Sequence, residues 1–185
     1  MNEFKTPEFI LHQLIDIVSK NGNLLLNIGP RPDGTIPEEV RHTLLEIGGW
    51  LKQNGEAIYD TTPWQVYGEG PTKVQTGFGH DKDTQPYTAK DFRFTRRGNT
   101  LYAIEMAWPV DGRVLIHALG SAQLGSAQQA RALQITNVEL VGSIAKLEYR
   151  QTGGALEVQI PFRAPGKYAY VFRVRMAREN NTGLP

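Results

Sequence analysis

Asn27-Ile28-Gly29-Pro30, reached abruptly after Leu24-Leu25-Leu26, are the first residues to invite a chemical reading. A continuous leucine run suits a strand covered on both faces. The switch to a carboxamide, a glycine and a proline marks a surface where something must bind. Asn27 then has two readings. Its carboxamide offers a donor and an acceptor to a bound polar group or a catalytic carboxylate. Alternatively it caps the loop and ties the Gly29–Gly34 turn to the strand. The carboxylates nearest in sequence to this unit's start are Glu3 and Glu8. Each has a plain reading: Glu3 as an exposed terminal charge, Glu8 as a first-turn acid favoured by the helix dipole.

Other chemistry-bearing residues suggest less. His12, His42, His80 and His117 include no pair at metal-ligand spacing. Asp81-Lys82-Asp83 beside His80 lacks the further acids and spaced glycine of a calcium loop and reads as a solvated turn. Phosphate-binding glycine patterns, a nucleophile elbow and CxxC are missing from the sequence, so no metal and no cofactor is expected. The chain has 20 basic and 19 acidic residues and a net charge of +1, which gives no electrostatic reason to expect nucleic acid or an anionic membrane as partner. It has no cysteine, hence no disulfide or thiolate metal site. No apolar run approaches the roughly 20 residues of a membrane-spanning helix. Met1–Lys5 lacks the apolar core of a signal peptide, and any such signal would lie upstream of this chain.

The elements that must position Asn27 follow from periodicity. Thr6-Pro7-Glu8 predicts a helix start, with Ile10, Leu14, Ile17 and Val18 as its apolar stripe and Lys20-Asn21-Gly22 as its stop. Leu24–Ile28 reads as a buried parallel strand. A second helix opens at Pro37-Glu38-Glu39, carries Val40, Leu44, Ile47 and Leu51, and ends at Asn54-Gly55. This is one α–β–α unit. After Asp60 the period shortens to two. Strands are expected at 92–95 and 100–104 around an Arg97-Gly98-Asn99 turn, then at 114–118, 132–140, 145–149, 156–160 and 168–174, the pattern of an antiparallel sandwich. Thr61–Pro71 reads as the boundary and Ala118–Ala130 as a long loop. Trp50 is expected in a core, Trp64 at the interdomain joint and Trp108 closing a sandwich strand.

One parallel strand cannot satisfy its own backbone edges. Either a small α+β layer docks on the sandwich, or neighbouring strands lie outside this chain.

The stretch Leu14-Ile15-Asp16-Ile17-Val18-Ser19-Lys20-Asn21-Gly22-Asn23-Leu24-Leu25-Leu26-Asn27-Ile28-Gly29-Pro30 resembles the last strand unit of glycoside hydrolase family 29, the α-L-fucosidases. Asp33-Gly34-Thr35-Ile36-Pro37, Gly49-Trp50-Leu51-Lys52-Gln53-Asn54-Gly55-Glu56-Ala57-Ile58-Tyr59 and Pro63-Trp64 extend the likeness. Beyond residue 64 only the architecture matches. The resemblance implies that residues 1–60 are the end of a (β/α)8-like catalytic domain, an α/β remnant, and residues 61–185 a C-terminal β-sandwich. It implies a retaining exo-α-L-fucosidase whose aspartate nucleophile lies upstream, so that this chain by itself would be inactive. The family's acid/base glutamate lies in the region leading into the helix before the last strand, where Glu3 and Glu8 fall; neither matches it residue for residue, and an acid there would need its pKa raised by apolar or anionic surroundings. Asn27 falls where barrel enzymes place site residues. The implied partners are a fucosylated oligosaccharide or glycoconjugate and the upstream barrel portion, with a homo-oligomer as a further expectation. The alternative is a non-catalytic carbohydrate-binding sandwich, which would show an exposed aromatic platform drawn from Trp108, Tyr87 or Phe78.

Overall fold

The hydroxyl of Thr6 accepts a hydrogen bond from the Phe9 N–H (3.2 Å) and Pro7 takes the first helical position, so helix α1 spans Pro7–Ser19 as predicted. The computed structural model describes residues 4–74, 85–123 and 134–177. Glu3, Phe78, His80, Asp81, Asp83 and residues 124–130 of the expected long loop lie outside the described residues. Helix α1 stops where Asn21 turns left-handed, at φ 68°, and Gly22 N–H bonds back to the Ile17 carbonyl at 2.9 Å. Helix α2 spans Glu38–Asn54.

Leu24–Ile28 forms no strand, which corrects the sequence expectation. The backbone there has no sheet partner among the described residues, and without a ladder an apolar run is only an extended segment. It keeps a strand's alternation. Leu24 and Ile28 are half-buried and Leu26 is just beyond that at 38% exposed, while Leu25 is 94% exposed and Asn27 is exposed with it.

The period-two region folds as expected into two antiparallel sheets. The strands are β1 Thr62–Glu69, β2 Phe92–Arg97, β3 Thr100–Glu105, β4 Arg113–Ile116, β5 Ile135–Leu140, β6 Glu148–Gln151, β7 Leu156–Gln159 and β8 Tyr170–Met176. One sheet has the order β1-β2-β3-β8-β5, the other β4-β7-β6. The stretch taken as the boundary is therefore β1, an edge strand whose pairing with β2 is interrupted between Pro63 and Gly68. The β2–β3 hairpin turns at Gly98, whose φ of 56° suits glycine.

The five-stranded sheet has a core on each face. Phe92, Phe94, Leu101, Ala103, Phe172 and Val174 point into the sandwich against Val114, Ile116, Leu156 and Val158. On the opposite face Tyr102, Ile104 and Val171 receive the helices through Leu11, Ile15, Ile47 and Trp50. Trp64 belongs to the sandwich interior, edge-on to Phe94 at 5.2 Å, and not to an interdomain joint. Trp50 is a core residue as expected, its indole N–H donating to the Ala169 carbonyl at 2.8 Å.

The buried faces of the helices differ from the predicted stripes. Leu11, Ile15 and Ser19 of α1 are buried on the sheet together with Ile10, whereas Leu14, Ile17 and Val18 are half-exposed. In α2, Thr43, Ile47, Trp50 and Asn54 are buried, while Val40, Leu44 and Leu51 are half-buried. Each helix has apolar residues on more than one side. The sheet claims one side, and the extended segment lies on another.

Candidate functional site

The exit of α1 leads through Asn23 into the extended segment, and a tight turn then reverses the chain into α2. That turn is held by Arg31 N–H to the Thr35 carbonyl (2.8 Å) and Gly34 N–H to the Arg31 carbonyl (2.9 Å), with Gly34 at φ 82°. Asp33 completes it: one carboxylate oxygen accepts from Thr35 N–H (3.0 Å) and from the Thr35 hydroxyl (2.7 Å). These bonds hold the Asp33 carboxyl below its ordinary pKa. Asp33 thus does the turn-tying that the sequence offered to Asn27. The Asn27 carboxamide is exposed and has no hydrogen-bond partner among the described residues.

Asn27, Gly29, Pro30 and Arg31 line an open groove of about 510 Å³ with Glu39 and Val40 from the start of α2. Behind it, Leu26 and Ile28 close with Ile10, Val40 and Leu44 on a smaller space of about 170 Å³. Among the described residues the groove holds a carboxamide, a guanidinium and a single carboxylate, Glu39. Polar recognition is within its reach. Two-carboxylate chemistry is not within reach of the described residues, because double displacement at a sugar carbon needs a nucleophile and an acid/base about 5–5.5 Å apart. Glu8 sits exposed in the first turn of α1, away from the groove lining. Glu3 lies outside the described residues.

The remaining candidates are packed into the fold. His12 binds the Tyr168 carbonyl through its Nε2 (2.9 Å), and burial lowers its pKa. Its ring meets Tyr87 edge-on at 5.1 Å. Trp108 is partly buried against Tyr170 at 4.7 Å, and Tyr87 is half-buried against Arg93. Neither offers the flat exposed ring of a sugar platform. Among the described residues no cluster of three His, Asp or Glu side chains could hold a metal ion, and no helix is long and apolar enough to cross a membrane.

Three polar features escaped the sequence reading. Asp16 of α1 and Arg93 of β2 form an ion pair, Nε to Oδ1 at 2.6 Å, with side chains only 10% and 4% exposed. Asp91 accepts from the N–H and hydroxyl of both Thr72 and Thr88; burial pulls its pKa up, but these bonds win and leave it lowered. Glu105 is wholly buried with neither carboxyl oxygen bonded, and desolvation pushes its pKa to about 9. Period two carried a signal for this one, since Glu105 shares the core-facing side of β3 with Leu101 and Ala103.

Comparison with known proteins decides the family. Residues 1–56 match the Alpha-L-fucosidase family, and residues 84–175 match the Alpha-L-fucosidase C-terminal domain. The chain belongs to the α-L-fucosidases of glycoside hydrolase family 29 and corresponds to their C-terminal portion. It is 33% identical to the plasma alpha-L-fucosidase of Rattus norvegicus over 151 residues, 80% of this chain and 30% of that protein. The tissue alpha-L-fucosidase of the same species is 32% identical over 161 residues, 86% of this chain and 29% of that one. The crystal structure of the Thermotoga maritima alpha-fucosidase in complex with a mechanism-based inhibitor superposes with a TM-score of 0.68 at 29% identity, covering 93% of this chain and 34% of that one. The match thus spans about a third or less of each fucosidase.

Proposed function

We propose that this chain is the C-terminal part of a retaining exo-α-L-fucosidase that hydrolyses terminal α-L-fucosides, and that it works only together with an upstream barrel portion. Residues 1–60 supply the last α-β-α unit of a (β/α)8-like barrel. Residues 61–185 form the sandwich that buttresses it. The observation that carries this reading is the Leu24–Ile28 segment. It has a strand's alternation and three leucines, yet no backbone partner among the described residues, and Leu25 and Asn27 are exposed. Parallel strands on both edges would satisfy its amides and bury its side chains. The outward face would then line the interior of the barrel, with Asn27 at the C-terminal end of the strand, where such folds place substrate contacts.

In this reading Asn27 hydrogen-bonds the sugar or a catalytic carboxylate, and the aspartate nucleophile comes from the upstream portion. Glu3 and Glu8 remain the acid/base candidates of this chain, and a fucosylated oligosaccharide or glycoconjugate is the substrate. The test is turnover of an aryl α-L-fucoside by the pure chain and by the chain mixed with the upstream part. We expect none from the first and hydrolysis from the second. Turnover by the pure chain, abolished by Glu3→Gln or Glu8→Gln, overturns the proposal.

A further inference from the structure

The helices rest on the five-stranded sheet mainly through apolar contacts, and these fix distance better than direction. Directional ties cross the same interface, among them Thr95 Oγ1 to the Ala57 carbonyl at 2.7 Å and the Trp50 indole to Ala169. Among the ion pairs of the described residues, Arg93–Asp16 is the most deeply buried. Arg93 is held on every side. Its Nη1 donates to the Phe92 carbonyl at 2.9 Å and its Nη2 to the Tyr87 hydroxyl at 3.1 Å. Its guanidinium lies over the rings of Tyr87 (5.0 Å) and Tyr67 (5.6 Å). Gly68 makes room: a Cβ there would stand 2.9 Å from the Arg93 Cδ and Nη1 and closer still to the Phe92 carbonyl. A guanidinium fork fixed at this many points sets orientation in a way an ammonium could not.

The other oxygen of Asp16 binds Lys20 Nζ at 2.7 Å, and Lys20 itself lies over the Tyr67 ring at 4.8 Å. Lys20 caps α1. Immediately after it the chain turns left-handed at Asn21 and enters the Asn23–Asn27 segment, which makes no backbone hydrogen bonds of its own among the described residues. Apart from the side-chain packing of Leu24, Leu26 and Ile28, its course is therefore set by how α1 ends, and that end is gripped by Asp16.

We infer that Arg93 of the sandwich is a positioning residue for the Asn27 end of the candidate site, acting through Asp16 and Lys20 on the exit of α1. The sandwich then aims the site segment as well as covering the helices. The consequence for turnover rests on the fucosidase reading above. The positional claim does not.

The chain has no cysteine, so spin labels can be attached at Leu25→Cys and Gln159→Cys, both exposed, and the distance between segment and far sheet read by pulsed electron resonance. Arg93→Lys keeps the charge and loses the fork; Asp16→Asn keeps the shape and loses the charge, and it carries the test if the first variant does not fold. Both are expected to broaden the label distance distribution. A distribution as narrow as that of the unmutated pair in a folded variant overturns the inference, whether or not the melting temperature falls, because that is the result of a merely structural ion pair. In the mixture with the upstream part, the variants are expected to lose about tenfold in kcat with KM within roughly threefold, the signature of misplaced rather than missing groups. Full kcat in both variants also overturns it. An inactive unmutated mixture counts against the fucosidase reading alone, since the label distances are measured on the chain by itself.

Discussion

Replacing Glu105 by Gln should stabilise the protein, and increasingly so as the pH rises. Glu105 sits on β3 opposite Phe92 and Tyr170, wholly buried, with both carboxyl oxygens unbonded and the Asp111 carboxylate adding to the cost of ionisation. Its pKa is about 9 in the fold against an ordinary 4.5. Between those values the native protein holds a proton that the unfolded chain has released. Stability therefore falls with rising pH by about 1.4 kcal/mol per pH unit for this one group. Below 4.5 both states are protonated and the penalty vanishes; above about 9 both are ionised and it is complete. At pH 7 the cost comes to roughly 3 kcal/mol, a sizeable share of a typical domain's 5–15 kcal/mol. Gln has nearly the same shape and the same unbonded polar atoms, so it removes only the ionisation cost. Urea unfolding of both proteins at pH 5, 6, 7 and 8, followed by tryptophan fluorescence, should give stabilities that differ by less than about 1 kcal/mol at pH 5 and separate by about 1.4 kcal/mol per unit above it. All other titrations cancel in the difference. Parallel curves would show that Glu105 is ionised or bonded in the fold and would refute the reasoning.

His12 should behave with the opposite sign. Burial lowers its pKa from 6.5, so below that pH the unfolded chain takes up a proton the native one refuses, and stability drops towards acid; His12→Gln should flatten the loss of melting temperature between pH 7 and 5. Trp50→Ala removes a buried indole and its bond to Ala169 and should cost about 3–5 kcal/mol by denaturant titration. Gly68→Ala drives a methyl into the Phe92 carbonyl and Arg93, and about 1–3 kcal/mol is expected from the same titration.

The sandwich was legible because its strands are short runs rich in aromatic and aliphatic residues bounded by turn residues, as Phe92–Thr95 and Leu101–Ile104 are by Arg97-Gly98-Asn99, even though both faces of β2 and β3 are buried. Strand ends slipped where turn geometry decides them, as at β6, which is Glu148–Gln151 and not 145–149. The first strand was hidden by Pro63 and the glycines of Thr61–Pro71, which an edge strand with an interrupted register tolerates and a sequence pattern reads as a linker. Helix limits were legible from Thr6, Pro7 and Gly55, but their buried faces were not. Apolar residues at Leu11, Leu14, Ile15, Ile17 and Val18 cover more than one side of α1, and periodicity does not say which side meets the sheet. Long-range polar ties are the least legible of all. Nothing in the spacing of Asp16 and Arg93, 77 residues apart, announces that they meet.

The same two-sidedness explains why the leucine run misled as a strand and yet pointed to the site. A strand is defined by its neighbours' amides, and residues 24–28 have none among the described residues. What survives without neighbours is the side-chain alternation, because Leu24 packs against the core beneath the helices and Leu26 and Ile28 border their second apolar side at Ile10, Val40 and Leu44. That leaves Leu25 facing the other way, with Asn27 exposed near it at the rim of the groove. An exposed leucine on an unpaired backbone is a liability for a free-standing protein. Removing it tests the point directly: if the outward face is a docking surface, Leu25→Lys should leave the melting temperature of the chain unchanged, since the side chain touches little. It should abolish association with the upstream part in sedimentation velocity, because a charge on a strand's covered face has no partner. Undiminished association would mean that Leu25 stays in water in the assembly, and that the segment is not a barrel strand.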